Sequence, residues 1–257
     1  MHYQMWLWSK FENVIAHFLI AMMEELIILY YVLFNMFLLM YYHYNDIISY
    51  KEVAYMGKIK LLHGSDHIIE KPDFLLGKTN NDYGRGFYCT QELSMAMEWA
   101  CKKNSDGFVN KYVLEQDSLN VLNLLDGKYN ILHWMALLLK NRTFRLSNEI
   151  AIDARDYIIE NFSIDLNAYD VIIGYRADDS YFSFAESFVQ NGLPLRSLNE
   201  ALHLGKLGTQ TVLISEKSFR NLTFDGADFA DKTVYYPKFI ARDSNARETY
   251  RKEIRNR

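Results

Sequence analysis

Residues 82–90 read DYGRGFYCT, and the rest of the chain is best interpreted outward from this stretch. Gly84 and Gly86 stand directly before a short apolar run, which predicts a tight turn leading into a β-strand. A dinucleotide-binding fingerprint needs GxGxxG after a strand and before a helix, whereas this GxG precedes a strand. Glycines here let the backbone approach a flat or bulky group beside Tyr88, although an ordinary hairpin turn with a core tyrosine explains the pattern equally well.

The segments on both sides of this turn have mixed strand and helix patterns. Upstream, KIKLLH (58–63) predicts a strand that ends in His63-Gly64-Ser65, and downstream LSMAMEWACKK (93–103) predicts a helix. Further strands are predicted at 107–115, 121–125, 169–175 and 209–215, and further helices at 130–142, 147–162, 181–190, 197–205 and 216–221. Because helices and strands are interspersed too irregularly for a doubly wound array, we expect the α+β class.

Composition excludes several classes of protein. The 257 residues are 50% hydrophobic, with 28 Lys plus Arg against 32 Asp plus Glu, which excludes disorder and gives no global case for nucleic-acid binding. Cys89 and Cys101 fit neither a CxxC motif nor a zinc spacing, so we expect buried thiols in a reducing, cytoplasmic interior. His63 and His67 are four residues apart on a strand or loop, where this spacing does not join two ligands, so no metal site is predicted.

Residues 1–55 differ from the rest of the chain. Residues 1–50 carry five charged side chains and neither Gly nor Pro, and residues 26–42 are interrupted only by Asn35. As a helix, residues 26–42 extend about 26 Å, slightly short of the roughly 30 Å bilayer core. A membrane span, a buried partner helix, an antitoxin-like segment and an extension not made in the cell all remain open. Met56 is a plausible start for an independent domain, expected at 56–230.

A combination of motifs is more specific than any one of them. His63-Gly64-Ser65, then Asp82 to Thr90, then Trp99-Ala100 eleven residues after Tyr88, then YDVIIGY (169–175) with ADD (177–179) together resemble the ADP-ribosyltransferase superfamily. The similarity is to the branch with a His-Tyr-Glu triad, which includes diphtheria toxin and the poly-ADP-ribose polymerases. It is greatest to an uncharacterised bacterial family of toxin-like proteins that read HGS, DFGxGFYxT, WA and YDxVxGxxADD. The resemblance covers residues 58–225 and implies a split β-sandwich with peripheral helices behind an apolar helical segment.

The resemblance also implies roles for individual residues. NAD would be a substrate: His63 would bond a ribose hydroxyl, the Gly64 backbone would hold the nicotinamide carboxamide, and Tyr88 and Trp99 would sandwich the ring. Ser65 and Gly86 would complete the pocket. Taken singly, His63 could equally be a hydrogen-bonded structural histidine and Trp99 a core residue of an amphipathic helix.

The third triad position departs from the superfamily. The segment that matches the usual glutamate strand reads GTQTVLI (208–214), which places Gln210 at that position. An amide can hold a ribose hydroxyl, but it offers neither a full negative charge nor a general base. Asp178 and Asp179 are the predicted substitutes, and a solvated helix N-cap is the alternative for them.

These patterns predict an NAD-consuming mono-ADP-ribosyltransferase-like toxin, of the toxin–antitoxin or phage-defence kind, in the bacterial cytoplasm. A catalytically weak NAD- or nucleotide-binding module is the alternative, favoured by Gln210, and a membrane-tethered interaction protein is a third. The acceptor, protein or nucleic acid, is not encoded in any motif, and a cognate antitoxin is a possible partner. Residues 231–257 are predicted to form a basic tail or helix, solvated or in contact with an anionic partner or membrane.

Overall fold

The computed structural model describes residues 57–177, 179–198 and 208–255. They belong to one compact unit, Gly57–Arg257. The predictions for residues 1–55, including the apolar segment 26–42, and for most of the helix at 197–205 fall outside the described residues. Within the described ranges, every helix is too short or too polar to cross a membrane.

The β-strands of the described residues form two sheets. They are β1 Lys58–Ser65, β2 Phe87–Cys89, β3 Gly107–Glu115, β4 Val121–Asn123, β5 Val171–Tyr175, β6 Thr209–Leu213 and β7 Leu222–Ala230. The first sheet has the order β1-β3-β7 and is antiparallel throughout. The second has the order β2-β6-β5-β4, in which β4 runs parallel to β5 and the other pairs are antiparallel.

Capping side chains mark the start of some of the helices. They are α1 Leu93–Ala100, α2 Ile131–Asn141, α3 Glu149–Phe162, α4 Asp179–Val189, α5 Glu216–Arg220 and α6 Lys232–Arg255. Asn130 accepts a hydrogen bond from the Leu132 amide, and Asn148 accepts one from the Ala151 amide, so both asparagines satisfy amides that lack a partner within the helix. The predicted α+β class is confirmed.

Three apolar clusters hold the layers together. Leu61 and Tyr112 of the first sheet pack with Phe87 and Leu213 of the second, so the two sheets face each other across a shared core. Helix α1 covers the outer face of the first sheet, and a larger cluster that contains Trp134 covers the outer face of the second. Both cysteine thiols are buried and free, as predicted.

The two sheets are joined where β1 passes the end of β2. The backbone amide of Leu62 donates to the Thr90 carbonyl at 2.8 Å, and the Thr90 amide donates back to the Leu62 carbonyl at 2.9 Å. This bridge holds the last residues of β1 beside β2. It therefore brings the HGS motif of the first sheet next to the Gly-rich turn of the second.

A candidate ligand cleft at the junction of the sheets

A cleft of about 710 Å³ opens where β1 meets β2 and β6. Its size lies within the range of about 300–1,000 Å³ that is usual for small-molecule sites. One wall comes from the 66–86 connection and another from α6. The strand and turn residues that line it include His63, Asp82, Gly86, Phe87, Tyr88 and Gln210, and the residues of α6 that line it are Phe239, Ile240 and Arg242.

Strand register places two of the predicted site residues on the same face of the second sheet. Tyr88 pairs directly with Val212, and Gln210 lies two residues before Val212 on the same strand. Because side chains two residues apart point to the same face, Tyr88 and Gln210 are diagonal neighbours. His63 joins them from the first sheet, so three predicted residues from three strands line one cleft.

His63 is fixed in one tautomer. Its Nδ1 lies 2.7 Å from the Tyr88 carbonyl oxygen, and because a carbonyl can only accept, Nδ1 carries the hydrogen. The ring stacks on Phe87 with centroids 4.4 Å apart. Burial lowers the pKa of His63, and the hydrogen bond to Tyr88 opposes this effect. The neutral ring therefore has Nε2 as an acceptor for a ligand hydroxyl.

The Tyr88 hydroxyl is tied to the turn that precedes its own strand. It donates to the Gly84 carbonyl at 2.7 Å and accepts from the Tyr83 amide at 3.0 Å. Gly84 has φ of +78°, a conformation that favours glycine, so the turn closes tightly enough to meet the hydroxyl. The ring of Tyr88 is thus held as a rigid wall of the cleft.

The structure gives the HGS residues after His63 a packing explanation. A Cβ on Gly64 would lie 2.2 Å from the Ala96 carbonyl oxygen and 2.6 Å from the Ala100 nitrogen, so α1 rests directly on this glycine. The Ser65 hydroxyl donates to the His67 carbonyl and accepts from Asn110 Nδ2 at 2.9 Å. The buried Asn110, which the sequence analysis missed, therefore fixes the turn that follows β1.

Trp99 is covered by a cation that lines the cleft. The Arg176 guanidinium carbon lies 4.5 Å from the centroid of the Trp99 ring, a cation–π contact. Trp99 Nε1 is buried without a hydrogen-bond acceptor among the described residues. The predicted sandwich of Tyr88 and Trp99 is therefore not open in this conformation, because Arg176 occupies one face of the indole.

Gln210 is buried and its amide is held by two acceptors. Its Nε2 donates to Asp82 Oδ2 at 3.1 Å and to the Tyr175 carbonyl at 3.2 Å. Asp82 is only 6% exposed, and it also accepts from the Ala177 amide at 2.9 Å and from Arg142 at 2.9 Å. The carboxylate that contacts Gln210 is thus Asp82.

Asp82 is in an unusual electrostatic position. Burial raises the pKa of its carboxyl, while the hydrogen bonds from Ala177 and Gln210 and the charge of Arg142 oppose that shift. Of the two carboxylates predicted as substitutes, Asp178 lies outside the described residues, and Asp179 opens α4. The assignment of charge to either of them remains a prediction.

The cleft also contains several cations. Lys78, Arg142, Arg176 and Arg242 line it, against the carboxylates of Asp73 and Asp82. Guanidinium groups bind phosphate oxygens in bidentate geometry, so this lining suits an anionic ligand. Within the described ranges, the His, Cys, Asp and Glu side chains form no group of three that could hold a metal ion.

Fold and site together define an α+β protein with a cation-rich cleft at the junction of its two sheets. The family described as "Protein of unknown function (DUF3990)" matches residues 59–224, which is more than half of the chain, so the chain belongs to this family. The match includes the predicted site residues from His63 to Gln210. No curated protein and no solved structure matches the chain.

Proposed function

We propose that this protein is an NAD-consuming mono-ADP-ribosyltransferase-like toxin that transfers ADP-ribose to a macromolecular acceptor and releases nicotinamide. One observation carries the proposal: His63, Tyr88 and Gln210, the positions that the motif resemblance assigns to the triad, line a single cleft from three strands. Two small facing sheets with a cleft at their junction also suit the split β-sandwich of that superfamily.

The lining of the cleft supports a dinucleotide as the ligand. Arg142, Arg176 and Lys78 offer positive charge to a diphosphate, and His63 Nε2 and the Gln210 amide offer acceptors to ribose hydroxyls. Tyr88 presents an aromatic ring for the nicotinamide. Stacking on Trp99 as well requires Arg176 to leave the indole, where it would exchange its cation–π contact for the ligand's diphosphate.

The reaction would break the bond between ribose C1′ and the nicotinamide nitrogen. The bonding electrons go to the nicotinamide ring, which loses its positive charge, and C1′ becomes an oxocarbenium-like centre. The acceptor nucleophile then forms a bond to C1′ and releases its proton to solvent. The site must therefore stabilise positive charge that moves from the ring to the sugar. Tyr88 holds the ring, while His63 and Gln210 orient the ribose.

A second candidate function is a binding module that holds NAD or a nucleotide without consuming it. Gln210 favours this alternative, because an uncharged amide replaces the carboxylate that the superfamily places there.

The decisive experiment incubates the full-length protein with NAD labelled in its adenylate part and with a cell extract, then digests the products separately with protease and nuclease. We expect macromolecular label that one of the two digestions removes, and at least a tenfold loss in His63→Ala and Tyr88→Ala, the range for a group that acts in the transition state. Tyr157→Ala, on an exposed position of α3, is the matched control and should label as the parent does. NAD that binds without being consumed would establish the binding module instead.

A further inference from the structure

We propose that Asp82 is a positioning residue for Gln210. The third triad side chain, Gln210, is uncharged, and the negative charge of the site lies instead on Asp82, which contacts the Gln210 amide. This inference rests on the proposed function and deepens it. It differs from the assignment of that charge to Asp178 or Asp179.

Hydrogen bonds hold the Asp82 carboxylate in place. Its Oδ2 accepts from Gln210 Nε2 at 3.1 Å and from the Ala177 amide at 2.9 Å, while Oδ1 accepts from Arg142 at 2.9 Å. A carboxylate that is 6% exposed and bonded to three donors from different chain segments has one available orientation. The charge is therefore fixed next to β6.

Two acceptors fix the orientation of the Gln210 amide. Asp82 Oδ2 and the Tyr175 carbonyl are both acceptors, so only the NH₂ end of the amide can face them. A flipped amide would place three oxygen atoms against one another. Oε1 is thereby assigned as the atom that accepts from a ligand hydroxyl, which is the role of a triad carboxylate toward ribose.

Glutamine suits position 210 better than glutamate does. A carboxylate at residue 210 would lie about 3 Å from Asp82 Oδ2 and from the Tyr175 carbonyl, in a buried site. Two carboxylates at such a distance cannot both remain ionised. Either the pair holds a proton, or the side chain leaves its position, so the two residues must be exchanged together.

The test is a double-mutant cycle in the full-length protein. The variants are Asp82→Asn, Gln210→Glu and the exchange Asp82→Asn with Gln210→Glu, which returns the charge to strand β6. We expect each single variant to lower the kcat of NAD consumption at least tenfold with KM changed less than threefold, and the exchange to recover most of the loss. Asp156→Asn on the exposed surface of α3 is the control for the same chemical change and should retain the parent kcat.

Each result leads to a distinct conclusion. Losses in the two single variants that simply multiply in the exchange variant would overturn the positioning role, because the two side chains would act independently. If Asp82→Asn fails to fold, Gln210→Glu decides alone: a tenfold loss supports the proposal, and turnover above the parent overturns it. A parent that consumes no NAD overturns the proposed function. A parent that consumes NAD, with a kcat that Asp82→Asn does not change, overturns only the positioning role.

Discussion

The protonation of His63 depends on burial and on neighbouring groups, which act in opposite directions. Burial against Phe87 disfavours the charged ring, and the hydrogen bond from Nδ1 to the Tyr88 carbonyl favours it. The net effect lowers the pKa of His63 below its usual 6.5. At neutral pH the side chain is therefore an uncharged acceptor toward the cleft, which is what a ribose hydroxyl requires.

The lowered pKa makes the stability of the protein depend on pH. Between pH 6.5 and the lower pKa of the folded state, the unfolded chain binds a proton at residue 63 that the folded chain does not, so the free energy of unfolding falls as pH falls. We expect the parent to lose more Tm than His63→Gln when pH drops from about 7.5 to about 5.5. Differential scanning calorimetry measures this difference.

The comparison with His63→Gln removes the contribution of other groups. Asp82, whose pKa is raised, acts with the opposite sign at lower pH, and it is present in both proteins. His67 stays unchanged in both proteins, because its charge also lowers the pKa of His63. Equal losses of Tm in the parent and in His63→Gln would contradict the explanation.

For individual residues, the sequence indicated the motifs but not the residues that contact them after folding. His63, Tyr88 and Gln210 could be placed in one site because each stands in a local pattern. Asp82 stands in the quoted motif as well, yet its importance comes from Arg142, Ala177 and Gln210, which are far away in the chain. Spacing along the sequence carries no information on which donors a buried carboxylate meets after folding.

Among the elements, α6 occupies the stretch predicted as a basic tail or helix, and it also lines the cleft. Arg242 of α6 donates to Glu98 of α1 through Nε at 2.7 Å and through a terminal nitrogen at 2.8 Å. Glu98 is 4% exposed, so this bidentate pair is largely withdrawn from water. It fixes the part of α6 whose Phe239 and Ile240 line the cleft.

Removal of the carboxylate should loosen this wall. Glu98→Gln leaves the Arg242 guanidinium beside an amide, and we expect the free energy of unfolding to fall by about 1–3 kcal/mol, the range for a buried charged hydrogen bond. Urea denaturation measures the change. Glu216→Gln, which breaks an exposed pair with Arg220, should change it by about 0.5 kcal/mol or less. Similar losses in both variants would show that burial adds nothing to the α1–α6 pair.

The strands show where periodicity succeeds and where it fails. The predicted strands at 58–63, 107–115 and 209–215 are confirmed as β1, β3 and β6. Strand β7 was missed, because LTFDGADFA places Asp225, Gly226 and Asp228 in a half-exposed edge strand whose order comes from pairing with β3. Helix α6 likewise continues through Pro237, a residue that normally indicates a helix boundary.

For the whole molecule, the change of composition near Met56 predicts that residues 57–257 fold without the N-terminal segment. The described residues of the unit Gly57–Arg257 form three apolar clusters on both faces of both sheets. Residues 57–257 expressed alone should therefore unfold in one cooperative transition in detergent-free buffer, with coincident fluorescence and circular dichroism curves. An aggregated product that recovers only when residues 1–56 are restored would contradict this prediction.

The α+β class could thus be predicted from sequence, whereas the layering of the two sheets could not. Alternation and caps are local properties, and they indicated an α+β chain. The facing of the two sheets depends on Leu61 and Tyr112 packing against Phe87 and Leu213, which are contacts between distant segments. The covering of Trp99 by Arg176 is of the same long-range kind.

The position of β6 has a consequence for synthesis on the ribosome. This strand lies between β2 and β5 although it is the last of its sheet to be translated. Until Leu213 has emerged, β2 lacks the neighbour it pairs with, and the inner edge of β5 is exposed to other chains. The sheet thus closes late, and Gln210 arrives with the strand that closes it. A nascent chain without β6 therefore contains His63 and Tyr88 but lacks Gln210 and the finished cleft.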